Sequence, residues 1–192
     1  MAHKTEFVIP RPTSGDLIDV IIDDHRVMEA LLRDIRDSTA DRDGARRACA
    51  ALLVAHSEAE EEKVYPTLRR KTDDVGEHEA EHGEEEHAEG LVAMLELLEA
   101  KGTDTKKFDD AAEKLSNYLY HHFVEEELTI LNPARTELSD AQRADLGSAF
   151  LAARSELLDS DCGDIENVRR LVKEAVADGT IESADIPDAP AD

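Results

Sequence analysis

The chain contains the stretch His122-Phe123-Val124-Glu125-Glu126-Glu127, which has a counterpart upstream in His56-Ser57-Glu58-Ala59-Glu60. Each stretch carries a glutamate four residues after a histidine. In an α-helix this spacing places both side chains on one face, one turn apart. Two such faces, brought together, provide ligands for metal ions. Both stretches therefore predict helices that meet at a metal site.

The apolar residues around His122 and Glu126 predict that these two side chains face the core of the protein. They recur at spacings of three and four residues, the period of a buried helical stripe, at Phe108, Ala111, Leu115, Leu119 and Ile130. His121 falls in phase with polar residues instead, which is typical of a solvated flank. The period therefore selects His122 over His121. The same apolar spacing leads into His56.

Two further predicted helices each place one histidine on an apolar stripe. In the first helix, at about residues 14–38, His25 interrupts a run of isoleucine, methionine and leucine. In the third, at about residues 77–100, His87 is in phase with leucine and methionine. His82 lies about 140° around that helix from His87, so we expect His82 to be solvated. His25 and His87 are therefore the inward histidines of their helices.

The chain contains an approximate internal duplication. Twice, a helix with one inward histidine is followed by a helix with a histidine and a glutamate four residues apart, and the two histidines of each unit are 31 and 35 residues apart. Two helical hairpins facing each other bring their inward residues to the middle of one bundle. The predicted metal ligands are His25, His56, Glu60, His87, His122 and Glu126.

Four imidazoles and two carboxylates form a ligand set suited to iron, manganese or zinc rather than to calcium or magnesium. The alternative, that these residues are ordinary core residues, is disfavoured because a buried carboxylate without a cation is costly. Glu61 and Glu127 are interpreted as surface acids, with a role in orienting a ligand left open. Tyr65 is interpreted as a packed aromatic residue. No residue is assigned a catalytic role from the sequence.

The composition excludes several other classes of protein. The formal net charge of −24 is expected to repel nucleic acid and anionic membranes. The sequence has no apolar run near 18 residues and no N-terminal signal pattern, and its two cysteines do not suggest a disulfide framework. We therefore expect a cytoplasmic protein that binds neither nucleic acid nor membrane.

The helical periods predict an all-α protein built as an up-down four-helix bundle with an additional C-terminal helix. That helix is expected at Ser139 to Leu158, with packing as its only role, and a shorter one at Asp164 to Ala177. The second helix should kink or end at Pro66, and the fourth should end at Pro133. The predicted parts are an N-terminal arm (1–13), the bundle (14–133), a C-terminal helical extension (134–178) and a disordered acidic tail (179–192).

The ordered set His25, His56-x-x-x-Glu60, His87 and His122-x-x-x-Glu126 resembles the hemerythrin-like, or His-His-Glu cation-binding, domain family over about residues 16–133. The resemblance implies a non-haem di-iron centre bridged by carboxylates and an oxo group. Oxygen-carrying hemerythrins supply two histidines from the third helix, one turn apart, whereas this chain has Gly83 one turn before His87. The pattern is therefore more similar to the bacterial hemerythrin-like branch. Glu84 or Glu86 is an alternative further ligand from the third helix, and helical phase does not decide this point.

Membership of this family implies two iron ions as the cofactor and dioxygen or hydrogen peroxide as the ligand or reactant. Whether the chain only binds these molecules or turns peroxide over, as a catalase or peroxidase does, stays open at this point. The alternative function is a non-catalytic sensor of iron, oxygen or redox state, or an iron-handling protein. The sequence offers no recognisable motif for a protein partner.

Overall fold

The computed structural model describes residues 7–72, 75 and 77–182, and their regular secondary structure is entirely helical. The all-α prediction is thus confirmed. None of the described helices combines the length and apolarity needed to cross a membrane. The helices are α1 (Leu17–Arg36), α2 (Arg42–Ala59), α3 (Tyr65–Lys71), α4 (Glu77–Glu99), α5 (Lys106–Glu126), α6 (Asn132–Glu137), α7 (Asp140–Leu158) and α8 (Ile165–Asp178).

The helices α1, α2, α4 and α5 form the bundle that the sequence predicts. α1 packs on α2 and α5, and α4 packs on α2 and α5, so that the four helices close a ring. Their buried apolar residues fall into two separate clusters along the bundle. Ile21 belongs to one cluster and Met28 to the other, and His25 lies between them on α1. A polar layer therefore divides the core.

Two π-helical segments correct the predicted helix ends. The segment Glu60–Val64 joins α2 to α3, and the segment Glu127–Leu131 joins α5 to α6. The helices therefore continue past Pro66 and Pro133, although the sequence predicts a kink or an end at the first and an end at the second. Each proline lies in the first turn after a π-helical segment, where the helical hydrogen-bond pattern changes and a residue without an N–H is accommodated. Each segment also starts at or next to a motif glutamate, and π-helical turns are frequent at functional sites.

The C-terminal extension contributes α7 and α8, as the sequence predicts. Ser139 and Gln142 form the expected capping box at the start of α7. α7 packs against α1 and α2, and α8 packs against α4. Of the predicted acidic tail, Ile181 is buried, and residues 183–192 lie outside the described residues, as do residues 1–6 of the predicted arm. The extension therefore covers two sides of the bundle.

Substituting Gly147 with alanine is expected to destabilise the fold. A Cβ at Gly147 in α7 would lie 2.4 Å from the backbone oxygen of Gly15, at the chain segment leading into α1. Such overpacking costs about 1–3 kcal/mol, which denaturation in urea would measure. In the control Gly90→Ala the nearest atom would be 3.6 Å away, so the gain in helix propensity of up to about 1 kcal/mol should prevail. Equal losses in both variants would contradict this interpretation.

Candidate metal centre

The six predicted ligands lie together in the polar layer that divides the core. Each is at most 2% exposed. The histidines form two pairs, one from each hairpin. The ring centroids of His25 and His56 are 5.2 Å apart, and those of His87 and His122 are 4.9 Å apart. The side chains that the helical period predicts to face inward are therefore close together in the structure.

Each of the two motif glutamates lies close to an imidazole of the opposite hairpin. Oε2 of Glu60 is 3.2 Å from Nε2 of His56 in its own hairpin and 3.3 Å from Nε2 of His87 in the other. Oε2 of Glu126 is 3.1 Å from Nε2 of His25, across the bundle. Each carboxylate thus reaches into the opposite hairpin.

Most of the atoms that face the centre lack a hydrogen-bond partner. The buried atoms without one include both carboxylate oxygens of Glu60 and of Glu126, and Nε2 of His25, His56 and His122. Leaving such groups unsatisfied in the interior is costly. Protons on the imidazoles offset part of this cost in the metal-free protein, and a bound cation would satisfy all of these atoms together. His25, His56 and Glu126 also offer ligand atoms that all lie within 4.8 Å of one another. The donor set therefore fits the metal that the sequence predicts.

Each of the four histidines has a carboxylate on the side of the ring that faces away from the centre. An ionised carboxylate only accepts hydrogen bonds, so each Nδ1–H donates and each Nε2 is left to face the centre. Such contacts fix the tautomer and orientation of metal-binding histidines. The pairs are His25 with Glu127 (3.0 Å), His56 with Asp24 (3.3 Å), His87 with Glu61 (2.9 Å) and His122 with Glu86 (2.9 Å).

The four supporting acids repeat the internal duplication of the sequence. Asp24 and Glu86 directly precede the inward histidine of the first helix in each hairpin, and Glu61 and Glu127 directly follow the motif glutamates. The orienting role that the sequence left open for Glu61 and Glu127 matches their position in the structure. The sequence did not assign this role to Asp24 or Glu86. The signal that could have found them is the acid-histidine pair at the same place in both halves.

The extension helix α7 supports the centre from outside the bundle. Arg154, which is 1% exposed, donates two hydrogen bonds to the carboxylate of Asp24, at 2.6 and 2.7 Å. Phe150 places its ring edge against His56, with the centroids 5.7 Å apart. The prediction that α7 serves packing only is therefore wrong. Periodicity reveals which face of a helix is buried, but not which side chain on another helix needs a cationic partner.

Tyr65 fills the space beside Gly83 on α4. It is fully buried, its hydroxyl lies 3.3 Å from Nε2 of His87, and the two rings stack at 5.6 Å. A Cβ at Gly83 would lie 2.8 Å from this hydroxyl oxygen. A second histidine from the third bundle helix, as in the oxygen-carrying hemerythrins that the sequence resembles, therefore has no room here. Tyr65 is a packed aromatic residue whose hydroxyl reaches the edge of the centre.

The motif glutamates, together with the supporting acids, raise the pKa of three of the four histidines. Burial alone lowers the pKa of His56, but the Glu60 and Asp24 carboxylates outweigh it and raise the pKa to about 10. Burial is likewise outweighed at His87, where Glu60 and Glu61 raise the pKa to about 10. At His25, Glu126 and Glu127 likewise outweigh burial and raise the pKa. At His122 burial prevails, and its pKa is lowered.

Metal binding to the metal-free protein is expected to strengthen as the pH rises. Because their pKa values of about 10 lie above neutrality, His56 and His87 carry protons at neutral pH. A metal binds neutral imidazole, so each must release its proton. Below pH 10 the apparent affinity should therefore rise with pH, by up to about tenfold per pH unit for each proton released. Competition with a chelator at pH 6 and pH 8 measures this, and equal affinities would contradict it.

Comparison with known proteins agrees with this geometry. Residues 16–134 match the family model of the hemerythrin HHE cation binding domain. A curated relative from Nostoc sp. (strain PCC 7120 / SAG 25.82 / UTEX 2576), named DNA nickase, is 31% identical over 105 residues; the match covers 55% of this chain and 29% of the relative. No solved structure matches the chain. The family match spans the bundle and the ligand layer, and the chain belongs to the hemerythrin HHE cation-binding domain family.

Proposed function

We propose that the chain holds two iron ions in its buried polar layer. His25 and His56 would bind one ion, and His87 and His122 the other, with the two motif glutamates shared between them. The observation that carries this proposal is the set of buried imidazole nitrogens and carboxylate oxygens without hydrogen-bond partners. Two imidazole pairs with carboxylates that reach across match two ions better than one.

Bound iron would supply redox chemistry and coordination positions for dioxygen or hydrogen peroxide. The ligands are at most 2% exposed, so only a small molecule suits the site. The residues around it keep it dry and oriented. Phe123 stacks on the ring of His25 with the centroids 4.2 Å apart, and the Tyr65 hydroxyl lies beside His87. We propose binding or reaction of dioxygen or peroxide as the function.

Steady-state consumption of hydrogen peroxide by the iron-loaded protein tests whether the centre turns this molecule over. Sustained consumption that is lost in Glu126→Ala would support a catalase- or peroxidase-like activity. A change in the visible spectrum without consumption would support binding without turnover, and neither a spectral change nor consumption would support the alternative, a non-catalytic sensor or iron-handling protein. Peroxide consumption that persists in Glu126→Ala would show that the reaction does not take place at this centre.

The activity stated in the name of the Nostoc relative is not assigned to this chain. The chain covers 29% of that protein, so the activity of the whole relative need not reside in the matched part. The formal net charge of −24 opposes binding to the phosphate backbone of nucleic acid, and we propose that nucleic acid is not a partner.

Cys49 and Cys162 are both free and buried, which fits a reducing compartment such as the cytoplasm.

A further inference from the structure

A second group of metal-ligand side chains lies outside the core, on the neighbouring helices α4 and α5. It consists of His82 and Glu86 on α4 and His121 and Glu125 on α5, and is named the outer cluster here. The side chains of His82 and His121 are 44% and 69% exposed. Helical phase alone predicts both histidines to be solvated, but it does not reveal that they converge on the same two carboxylates.

The spacing of these atoms suits a transition-metal ion. Nε2 of His82 lies 3.5 Å from Oε1 of Glu125, and Nε2 of His121 lies 3.1 Å from Oε2 of Glu125. Oε1 of Glu86 is 4.0 Å from both imidazole nitrogens, which is too far for a hydrogen bond. Ligand atoms around tetrahedral zinc, with bonds of about 2.05 Å, are about 3.3 Å apart. His82, Glu86 and Glu125 also offer ligand atoms within 4.8 Å of one another.

The internal duplication shows what is missing at the outer cluster. Asp24 and Glu86 occupy equivalent places, and each accepts a hydrogen bond from Nδ1 of a centre histidine. The outward side of Asp24 is neutralised by the buried guanidinium of Arg154. Glu86 is only 6% exposed, and its outward oxygen Oε1 faces two imidazoles and the carboxylate of Glu125. A metal cation held by these imidazoles would supply the positive charge that Arg154 supplies in the other half.

We propose that the outer cluster is a binding site for a divalent transition-metal ion such as zinc, separate from the buried centre. Two imidazoles with two carboxylates select ions of this class over calcium and magnesium. The exposed imidazoles leave the ion open to water, so it exchanges readily with the solvent. Glu86 joins the two sites, because its Oε2 lies 2.9 Å from Nδ1 of His122.

Calorimetric titration of the protein as purified with zinc chloride tests the outer site. Wild type should bind one zinc ion that the double variant His82→Ala/His121→Ala binds at least about tenfold more weakly. His78→Ala tests the competing assignment, because His78 is an exposed histidine one turn before His82 on α4, with the two ring centroids 6.5 Å apart, and could bind zinc with His82 in place of His121. Glu86 is left intact because it also contacts His122. Circular dichroism should show the same helical content in all three proteins.

The same titration with calcium chloride distinguishes a built site from a merely acidic surface. Calcium binding at least about tenfold weaker than zinc binding would support the proposal, since imidazole is a poor ligand for calcium. An identical zinc isotherm in wild type and the double variant would overturn it. Equal losses in the double variant and in His78→Ala would also overturn it.

Discussion

Replacing His122 with alanine is expected to remove metal from the buried centre, whereas replacing its neighbour His121 leaves that metal in place. His122 is buried in the ligand layer, and its Nε2 has no hydrogen-bond partner. The side chain of His121 is 69% exposed and contacts Glu125 on the surface. Metal content per chain, measured after desalting to remove weakly held ions, compares the two variants directly. Equal metal loss in both would show that the assigned inward face of α5 is wrong.

The same substitution should lower the thermal stability of the metal-loaded protein. A ligand present at one hundred times its dissociation constant stabilises the folded state by about 2.7 kcal/mol, and each kcal/mol corresponds to about 2–4 °C for a chain of this size. His122→Ala should therefore melt several degrees below wild type. Treatment with a chelator should lower the melting temperature of wild type and of His121→Ala, and leave that of His122→Ala unchanged. A chelator effect of equal size in all three would contradict a buried metal bound by His122.

Replacing Arg154 with methionine is expected to destabilise the protein strongly, although Arg154 lies outside the bundle. The substitution leaves the carboxylate of Asp24, which is 5% exposed, without its guanidinium partner. Removing one partner of a buried ion pair costs about 3–5 kcal/mol. Asp24 accepts a hydrogen bond from Nδ1 of His56 and so orients this ring. The affinity for metal should therefore also fall by about 10–100-fold. Urea denaturation and chelator competition measure the two effects.

A second substitution separates the loss of charge pairing from the loss of packing. Asp24→Asn removes the charge but keeps an oxygen that accepts from His56, so Arg154→Met/Asp24→Asn should recover most of the lost stability. The control Arg170→Met removes an exposed pair on α8 and should change stability by less than about 1 kcal/mol. If the double variant were no more stable than Arg154→Met, charge compensation would not be the role of Arg154.

The sequence predicts the ligand layer because helical period carries that information locally. A histidine on an apolar stripe followed by a glutamate one turn later requires no knowledge of other helices. His122 was separated from the adjacent His121 on this ground alone, and the structure has His122 buried and His121 exposed. The duplication then predicts that the two hairpins face each other. Assignment of these residues as iron ligands remains a prediction.

The features that the sequence did not predict depend on contacts between distant segments. Arg154 lies 130 residues from Asp24 along the chain, and its position on α7 does not reveal which carboxylate it reaches. The contact of Tyr65 with Gly83 likewise requires the packing of two helices. The helix continues past Pro66 because a π-helical segment changes the hydrogen-bond pattern just before it. The expectation that proline ends or kinks an α-helix does not take such a segment into account.

Metal analysis of protein purified in air without added metal, with its near-ultraviolet and visible spectrum, tests whether the buried layer holds iron. We expect about two iron ions per chain, together with absorption bands of an oxo-bridged ferric centre, both lost in His122→Ala and kept in His121→Ala. A well-folded helical protein that contains zinc or no metal would contradict this expectation.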